Sequence, residues 1–131
     1  MTGEMDLTKL VVGMSPELTP GVFVFVSCPR DAVPEGLTPL MRYEEAEGTT
    51  LILPREEAER LGLEATFPCR RITLRIHSAL EAVGFIAAVA THLAKNGMGA
   101  NPVSGFHHDH LFVAEKQAER AVEVLRELAA G

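Results

Sequence analysis

A change of hydrophobic period in the second half of this chain constrains its fold more than any other feature. Over residues 70–77 (RRITLRIH), apolar and polar side chains alternate, which is typical of a strand with one buried face. Over residues 81–96 the apolar side chains recur at helical spacing instead, and the Asn96-Gly97 pair supplies the left-handed residue that ends a helix. The sequence therefore predicts a strand followed by an amphipathic helix.

The remainder of the second half adds a hairpin and a closing helix. Residues 98–106 and 110–114 predict two strands, and residues 115–129 predict a helix with an apolar face. A right-handed connection through the first helix sets strand 70–77 beside strand 110–114, which is a ferredoxin-like order. We expect residues 22–28 to fill the vacant fourth position in that sheet.

The first half is richer in strands. Residues 22–28 (VFVFVSC) are continuously apolar, which predicts a central strand buried on both faces. The other predicted elements are a short helix or extended arm at 7–14, a hairpin of strands 40–45 and 50–53, and a helical turn at 54–61. We expect an α+β fold in which the two halves share an antiparallel sheet.

Composition limits the classes of function. The 131 residues carry a net charge of -6 at pH 7 and are 47% apolar, which indicates a folded domain and argues against a nucleic-acid partner. No apolar run reaches the length of a membrane span and the first residues lack the order of a secretory signal, so we expect a cytoplasmic protein without a membrane partner. Cys28 and Cys69 lie far apart without CxxC spacing, and we expect each to be a small buried hydrophobe.

A histidine-rich stretch, GFHHDHLFV, follows the predicted helix. If His108 and Asp109 form a two-residue turn, His107 faces His110 across the hairpin, and His77 at the end of the preceding strand approaches both. Three converging imidazoles would suit zinc or a related ion. HHDH lacks the spacing of the HExxH zinc motif, so a role in the turn and in a ligand shell, or simple surface exposure, stays open beside a metal site.

The chain shows no pattern that carries catalysis. A nucleophile elbow is missing, and Ser78, which directly follows His77, should point to the opposite face of the strand. The glycine-rich loops that cradle nucleotide phosphates are missing as well. We therefore expect neither an enzyme nor a cofactor.

Three motifs in the second half belong together: the VGF turn at residues 83–85, the helix with Val89 and Leu93, and the stretch NGMGANPV after it. Together they resemble the ACT domain, a small amino-acid-binding regulatory module, over residues 70–128. The whole chain also resembles a bacterial group of tandem ACT-like proteins in which the second half ends in a hairpin like GFHHDHLFV.

The resemblance implies two ACT-like units of ferredoxin-like fold in tandem, at residues 1–66 and 67–131. It also implies that an amino acid or similar metabolite binds at an interface between ACT units. Since this chain carries no enzyme domain, it would act as a stand-alone ligand sensor, through a separate regulated partner protein. Exposed strand edges and an uncovered sheet face with Val103 and Phe112 predict in addition that the chain forms a homodimer.

The site that the resemblance implies joins the turn before the helix to the hairpin. The helix N-terminus would hold a carboxylate, and Asp109 would receive an ammonium or guanidinium group. Many ACT domains carry Asp or Asn and Pro before the glycine of the turn, where this chain has Glu81, Ala82 and Val83, so the amino end of the ligand would be held elsewhere or the site lost. The residues carried over to this chain are Ala82, Val83, Gly84, Phe85, Ile86, Asn101, Gly105, Phe106 and Asp109.

Overall fold

The computed structural model describes residues 2–131, which form two compact units. The larger unit contains residues 2–20 and 70–131, and the smaller unit contains residues 21–69. The boundary expected between residues 66 and 67 stays a prediction. The elements in chain order are α1 (Leu7–Gly13), β1 (Pro16–Leu18), β2 (Phe23–Cys28), β3 (Met41–Glu45), β4 (Gly48–Pro54), α2 (Arg55–Arg60), β5 (Thr66–Leu74), α3 (Phe85–Lys95), β6 (Asn101–Ser104), β7 (Asp109–Ala114) and α4 (Ala118–Ala130).

The larger unit has the predicted ferredoxin-like arrangement of strands. Strand β5 is hydrogen-bonded to β7, and β7 to β6. The fourth position, beside β5, is shared by two strands: β1 pairs antiparallel with the last part of β5, and β2 pairs antiparallel with its first part. The expectation that residues 22–28 fill this position is therefore confirmed only for the first part of β5. Proline has no N–H group to donate to a neighbouring strand, but it is tolerated as the first residue of a strand, which is the position of Pro16 in β1.

Alternation along β5 and β7 places one face of this sheet under the helices. Ile72, Leu74, Leu111 and Val113 are 1% exposed or less and pack with residues of α1, α3 and α4 in a single apolar cluster. The predicted alternation of residues 70–77 is therefore confirmed for the part that forms a strand. Helix α1 contributes Leu10, which is 0% exposed.

Helix α3 begins four residues later than residue 81. Its first residue is Phe85, and Gly84 before it has a φ of +94°, a left-handed conformation that L side chains rarely adopt. Residues 79–82 form a separate turn closed by the bond from Ala82 N to Ala79 O, 3.0 Å long. The predicted stop is confirmed, since Gly97 has a φ of +76°.

The smaller unit consists of strands in the order β3-β4-β2-β5 with helix α2. β2 lies between β4 and the first part of β5, as predicted for a central strand. The hairpin of β3 and β4 is also confirmed, with Glu45 opposite Gly48. Val24, Val26, Leu51 and Leu53 are its main buried apolar residues.

Both cysteines lie in the smaller unit, buried and without a disulfide. Burial raises the pKa of the Cys69 thiol to about 11, and its Sγ donates to the carbonyl of Phe23 at 3.3 Å. A thiol with a raised pKa is a poor nucleophile, so Cys69 fits the structural role expected for it.

Among residues 2–131, no helix has both the length and the apolar character that crossing a bilayer requires.

Replacing Leu10 with alanine tests the packing of the N-terminal helix in the larger unit. Leu10→Ala should lower the free energy of unfolding by about 2–5 kcal/mol, because it removes a fully buried side chain from the cluster. Val12→Ala on the same helix is the control, since Val12 is 65% exposed and its loss should change stability by less than about 0.5 kcal/mol. Urea unfolding of both variants gives the comparison, and equal stabilities would contradict the packing of α1.

Candidate functional site

A cavity of about 150 Å³ lies in the larger unit, beside the N-terminus of helix α3. It is formed by the segment after β5, the turn into α3, the end of β6 and the start of β7. Its lining residues are Ser78, Ala79, Leu80, Ala82, Gly84, Phe85, Ile86, Ala87, Ser104 and Asp109.

The N-terminus of α3 gives the cavity a positive pole. The first N–H groups of a helix have no partner within the helix, and the helix dipole adds partial positive charge at this end. Gly84, the N-cap, has no side chain to accept from these groups, and the first turn contains no acidic residue. The first turn is thus open to an anionic group from a ligand.

Asp109 supplies the opposite charge. It is the first residue of β7 and shares the helix-facing side with Leu111 and Val113, so its side chain is only 5% exposed. Ser78 Oγ donates to Asp109 Oδ2 at 2.7 Å. Among residues 2–131, no other side chain donates to this carboxylate, which has capacity for further donors. A buried carboxylate on a cavity wall favours a cationic donor.

The N-terminal segment fixes the position of Ser78. Glu4 N donates to the carbonyl of His77 at 2.7 Å, and Ala79 N donates to the carbonyl of Glu4 at 2.9 Å, so the backbone is held on both sides of Ser78. A Cβ atom at Gly3 would lie 2.6 Å from Ala79 N, so only glycine allows this approach. Ser78 is 8% exposed as a result.

The hairpin turn differs from the one expected. Ser104 pairs with Asp109, and residues 105–108 form a four-residue loop in which Gly105 N donates to the carbonyl of His108 at 2.9 Å. The expected two-residue turn at His108 and Asp109 is wrong. Asp109 therefore belongs to the strand, and this register carries its carboxylate to the cavity.

The structure brings only part of the predicted site together. Val83 is 82% exposed, and Asn101 is exposed in β6 opposite Phe112. Gly105 lies in the loop, and Phe106, 59% exposed, lines a neighbouring cavity with Thr2, Leu80 and Glu81. The predicted residues that do line the cavity are Ala82, Gly84, Phe85, Ile86 and Asp109.

Sequence reasoning missed the other five lining residues, which are the two that carry hydroxyl groups and three apolar ones: Ser78, Ser104, Ala79, Leu80 and Ala87. A signal for Ser78 was available. It continues the even-numbered phase of Leu74 and Ile76, whose side chains pack in or against the helix-covered cluster, so the same alternation extends to it.

The expected convergence of three imidazoles is wrong. The His77 and His107 rings are 5.6 Å apart between centroids, but His110 bonds instead to Thr73, with Oγ1 and Nδ1 2.9 Å apart. No three His, Cys, Asp or Glu side chains within residues 2–131 are grouped so that they could hold a metal ion.

Comparisons with known proteins give the family and the fold. Residues 2–70 and residues 66–127 each match the ACT domain. A crystal structure from Vibrio cholerae, of a protein of unknown function described as a possible transport protein, is 41% identical, with 94% of this chain and 95% of that chain covered and a TM-score of 0.84. No curated protein matches.

Two more distant structures share the fold. A protein from Agrobacterium tumefaciens is 18% identical over 87% of both chains, with a TM-score of 0.73. The regulatory subunit of aspartate kinase from Thermus thermophilus, in its ligand-free form, is 10% identical over 86% of this chain and 95% of that chain, with a TM-score of 0.66.

Removing the Ser78 hydroxyl tests the buried pair. Ser78→Ala leaves the Asp109 carboxylate without its only side-chain donor among residues 2–131, and should lower the free energy of unfolding by about 1–3 kcal/mol. Ser104→Ala is the matched control, because Ser104 is exposed and lines the same cavity without a side-chain bond to Asp109. If urea unfolding gives the same free energy of unfolding for both variants, the hydrogen bond between Ser78 and Asp109 does not stabilise this site.

Proposed function

The chain belongs to the ACT domain family, and from this premise we propose that it is a regulatory module that binds a small molecule, specifically an amino acid, in the cavity beside α3. The observation that carries the proposal is the buried Ser78–Asp109 pair, which faces the same cavity as the uncapped helix N-terminus. Opposite charges at the two ends of a small cavity match a zwitterion.

The two charged ends of the amino acid bind different groups of the cavity. The α-carboxylate accepts from the N–H groups of the first turn of α3, where dipole and hydrogen bonds act together. The ammonium donates to Asp109, and Ser78 holds that carboxylate in place. Asp109 thereby binds the amino end of the ligand, for which the turn residues Glu81, Ala82 and Val83 supply no partner.

The size of the cavity narrows the ligand. A cavity of about 150 Å³ is comparable with engineered protein cavities that hold a benzene molecule. Small amino acids therefore fit this cavity better than aromatic ones. Ser104, which also lines the cavity, offers a hydroxyl group to a polar side chain on the ligand.

Exposed apolar side chains near the cavity support the expected homodimer and the regulated partner. Leu80, which lines the cavity, is 66% exposed, Phe106 is 59% exposed, and Val83 beside Gly84 is 82% exposed. Large apolar side chains grouped on a surface commonly mark a protein contact. The same observation favours a second function, a protein-interaction module that needs no ligand. The aspartate kinase regulatory subunit shares only the fold with this chain, so the comparison does not identify the partner protein.

A glutamate in the first turn of α3 distinguishes the two functions. Ala87→Glu places a carboxylate at the helix N-terminus, where it is expected to keep or raise stability by up to about 1 kcal/mol while competing with the carboxylate of a bound amino acid. Thermal unfolding is measured with each of the twenty amino acids in turn. A ligand at about 100 times its dissociation constant stabilises the native chain by about 2.7 kcal/mol, and this gain should disappear in Ala87→Glu.

Thr91→Glu on the same helix is the control, because it adds the same charge at an exposed position away from the N-terminus. It should keep the full response. Asp109→Asn, which removes the charge for the ammonium at nearly constant size, should weaken binding at least about tenfold. If no amino acid shifts the transition of the native chain, or if Ala87→Glu responds as Thr91→Glu does, amino-acid binding at this site is refuted and the interaction module is the better account.

A further inference from the structure

The side of the larger unit's sheet that faces away from the helices carries a second group of polar side chains. On β5, Thr73 alternates with the core residues Ile72 and Leu74, so it points away from the helices. Thr73 Oγ1 lies 2.9 Å from His110 Nδ1 on β7. This contact shows that the two strands present their polar side chains on one common face.

The residues around this contact are basic. Arg71 and Arg75 flank Thr73 along β5 and its continuation, and His108 precedes His110 by two residues. The pKa of His108 is lowered by burial and then by the charge of Arg75, while the pKa of His110 is lowered by burial and then by Arg71. These charges therefore lie close enough to act on one another.

Two further imidazoles extend the group. His77 and His107 have ring centroids 5.6 Å apart. Both lower the pKa of His108, as Arg75 does. We call Arg71, Arg75, His77, His107, His108 and His110 the arginine–histidine face. In a chain of net charge -6, it is a local concentration of the opposite sign.

Two carboxylates near this face, those of Asp109 and Glu17, form no ion pair with Arg75 or with the histidines among residues 2–131. Asp109 raises the pKa of both neighbouring histidines, but its side chain points to the helix-covered side and accepts from Ser78. Glu17 lies opposite Thr73 on β1, exposed and without an ion pair among residues 2–131. The guanidinium of Arg75 likewise forms neither a hydrogen bond nor a salt bridge within that range.

We propose that the arginine–histidine face binds a multiply charged oxyanion, a phosphate group or closely spaced carboxylates on a small molecule. An unpaired guanidinium offers a planar fork of N–H donors that matches such oxygens, and adjacent imidazoles add donors and charge when they protonate. This site is separate from the amino-acid cavity, because alternation along β7 turns His110 to the side of the strand opposite Asp109, and no residue of the arginine–histidine face lines the cavity.

Calorimetric titration of the full chain with sulfate, inorganic phosphate and citrate tests the proposal, with chloride at equal ionic strength as the blank. We expect saturable binding of at least one of the three anions. Arg75→Gln should weaken it about tenfold, the effect of losing one charge-assisted hydrogen bond. Arg126→Gln is the matched control, because it removes the same charge from an exposed position on α4 and should leave binding unchanged. Preference for phosphate and sulfate over citrate, or the reverse, identifies the oxyanion.

The pH dependence has a definite sign. Burial and the facing arginines lower the pKa of His108 and His110, and a bound dianion should draw protons onto both imidazoles. Sulfate, which keeps its charge between about pH 5 and about pH 8, should bind more tightly as the pH falls and with proton uptake. Glu17 on β1 is the acidic group near enough to repel the anion, while the charge of Asp109 raises the pKa of both histidines and so favours their protonation.

Three results would overturn the proposal. They are no saturable binding of any of the three anions, equal weakening by Arg75→Gln and Arg126→Gln, and sulfate binding without proton uptake. Circular dichroism of both variants guards against a folding defect, and because both arginines are exposed we expect native spectra.

Discussion

The buried carboxylate of Asp109 determines which segment the start of β7 must contact and which side of the hairpin faces the cavity. An isolated carboxylate moved out of water is costly, so a 5% exposed aspartate on the core side of a strand needs a donor. Ser78 provides it at 2.7 Å, from a segment remote in sequence. One hydrogen bond thus joins the end of β5 to the start of β7 and leaves the rest of the carboxylate directed at a cavity.

This dependence extends to the N-terminus. Ser78 lies outside any strand, and the backbone of Glu4 holds it by bonds on either side, at a distance that only glycine at position 3 allows. Helix α1 then continues from this segment into the same apolar cluster as α3 and α4. The first twenty residues are therefore part of the unit that contains the cavity, although the remainder of that unit begins only at residue 70.

Alternation of apolar residues and helix stop signals predict most helices and strands. They do not predict the register, that is, which residues of two paired strands lie opposite each other. The core faces of β5 and β7 follow from a period of two, which leaves open which residues of two strands pair. His and Asp tolerate positive φ, which favoured a two-residue turn. The chain instead forms a loop over residues 105–108 in which none has positive φ. For Ser78, the same alternation indicates the face of its side chain, but not its hydrogen bond to Asp109, because that bond depends on the contact of the backbone with Glu4.

The two proposed sites are linked through Asp109. Its negative charge raises the pKa of His108 and His110 and so favours the protonated imidazoles that an oxyanion would meet. An ammonium bound to Asp109 cancels that influence, so an amino acid in the cavity should weaken oxyanion binding on the opposite face. Coupling free energies are reciprocal, so the oxyanion weakens amino-acid binding by the same factor. Titrating sulfate with and without a saturating amino acid measures the factor, and identical affinities would show that the two faces of β7 act independently.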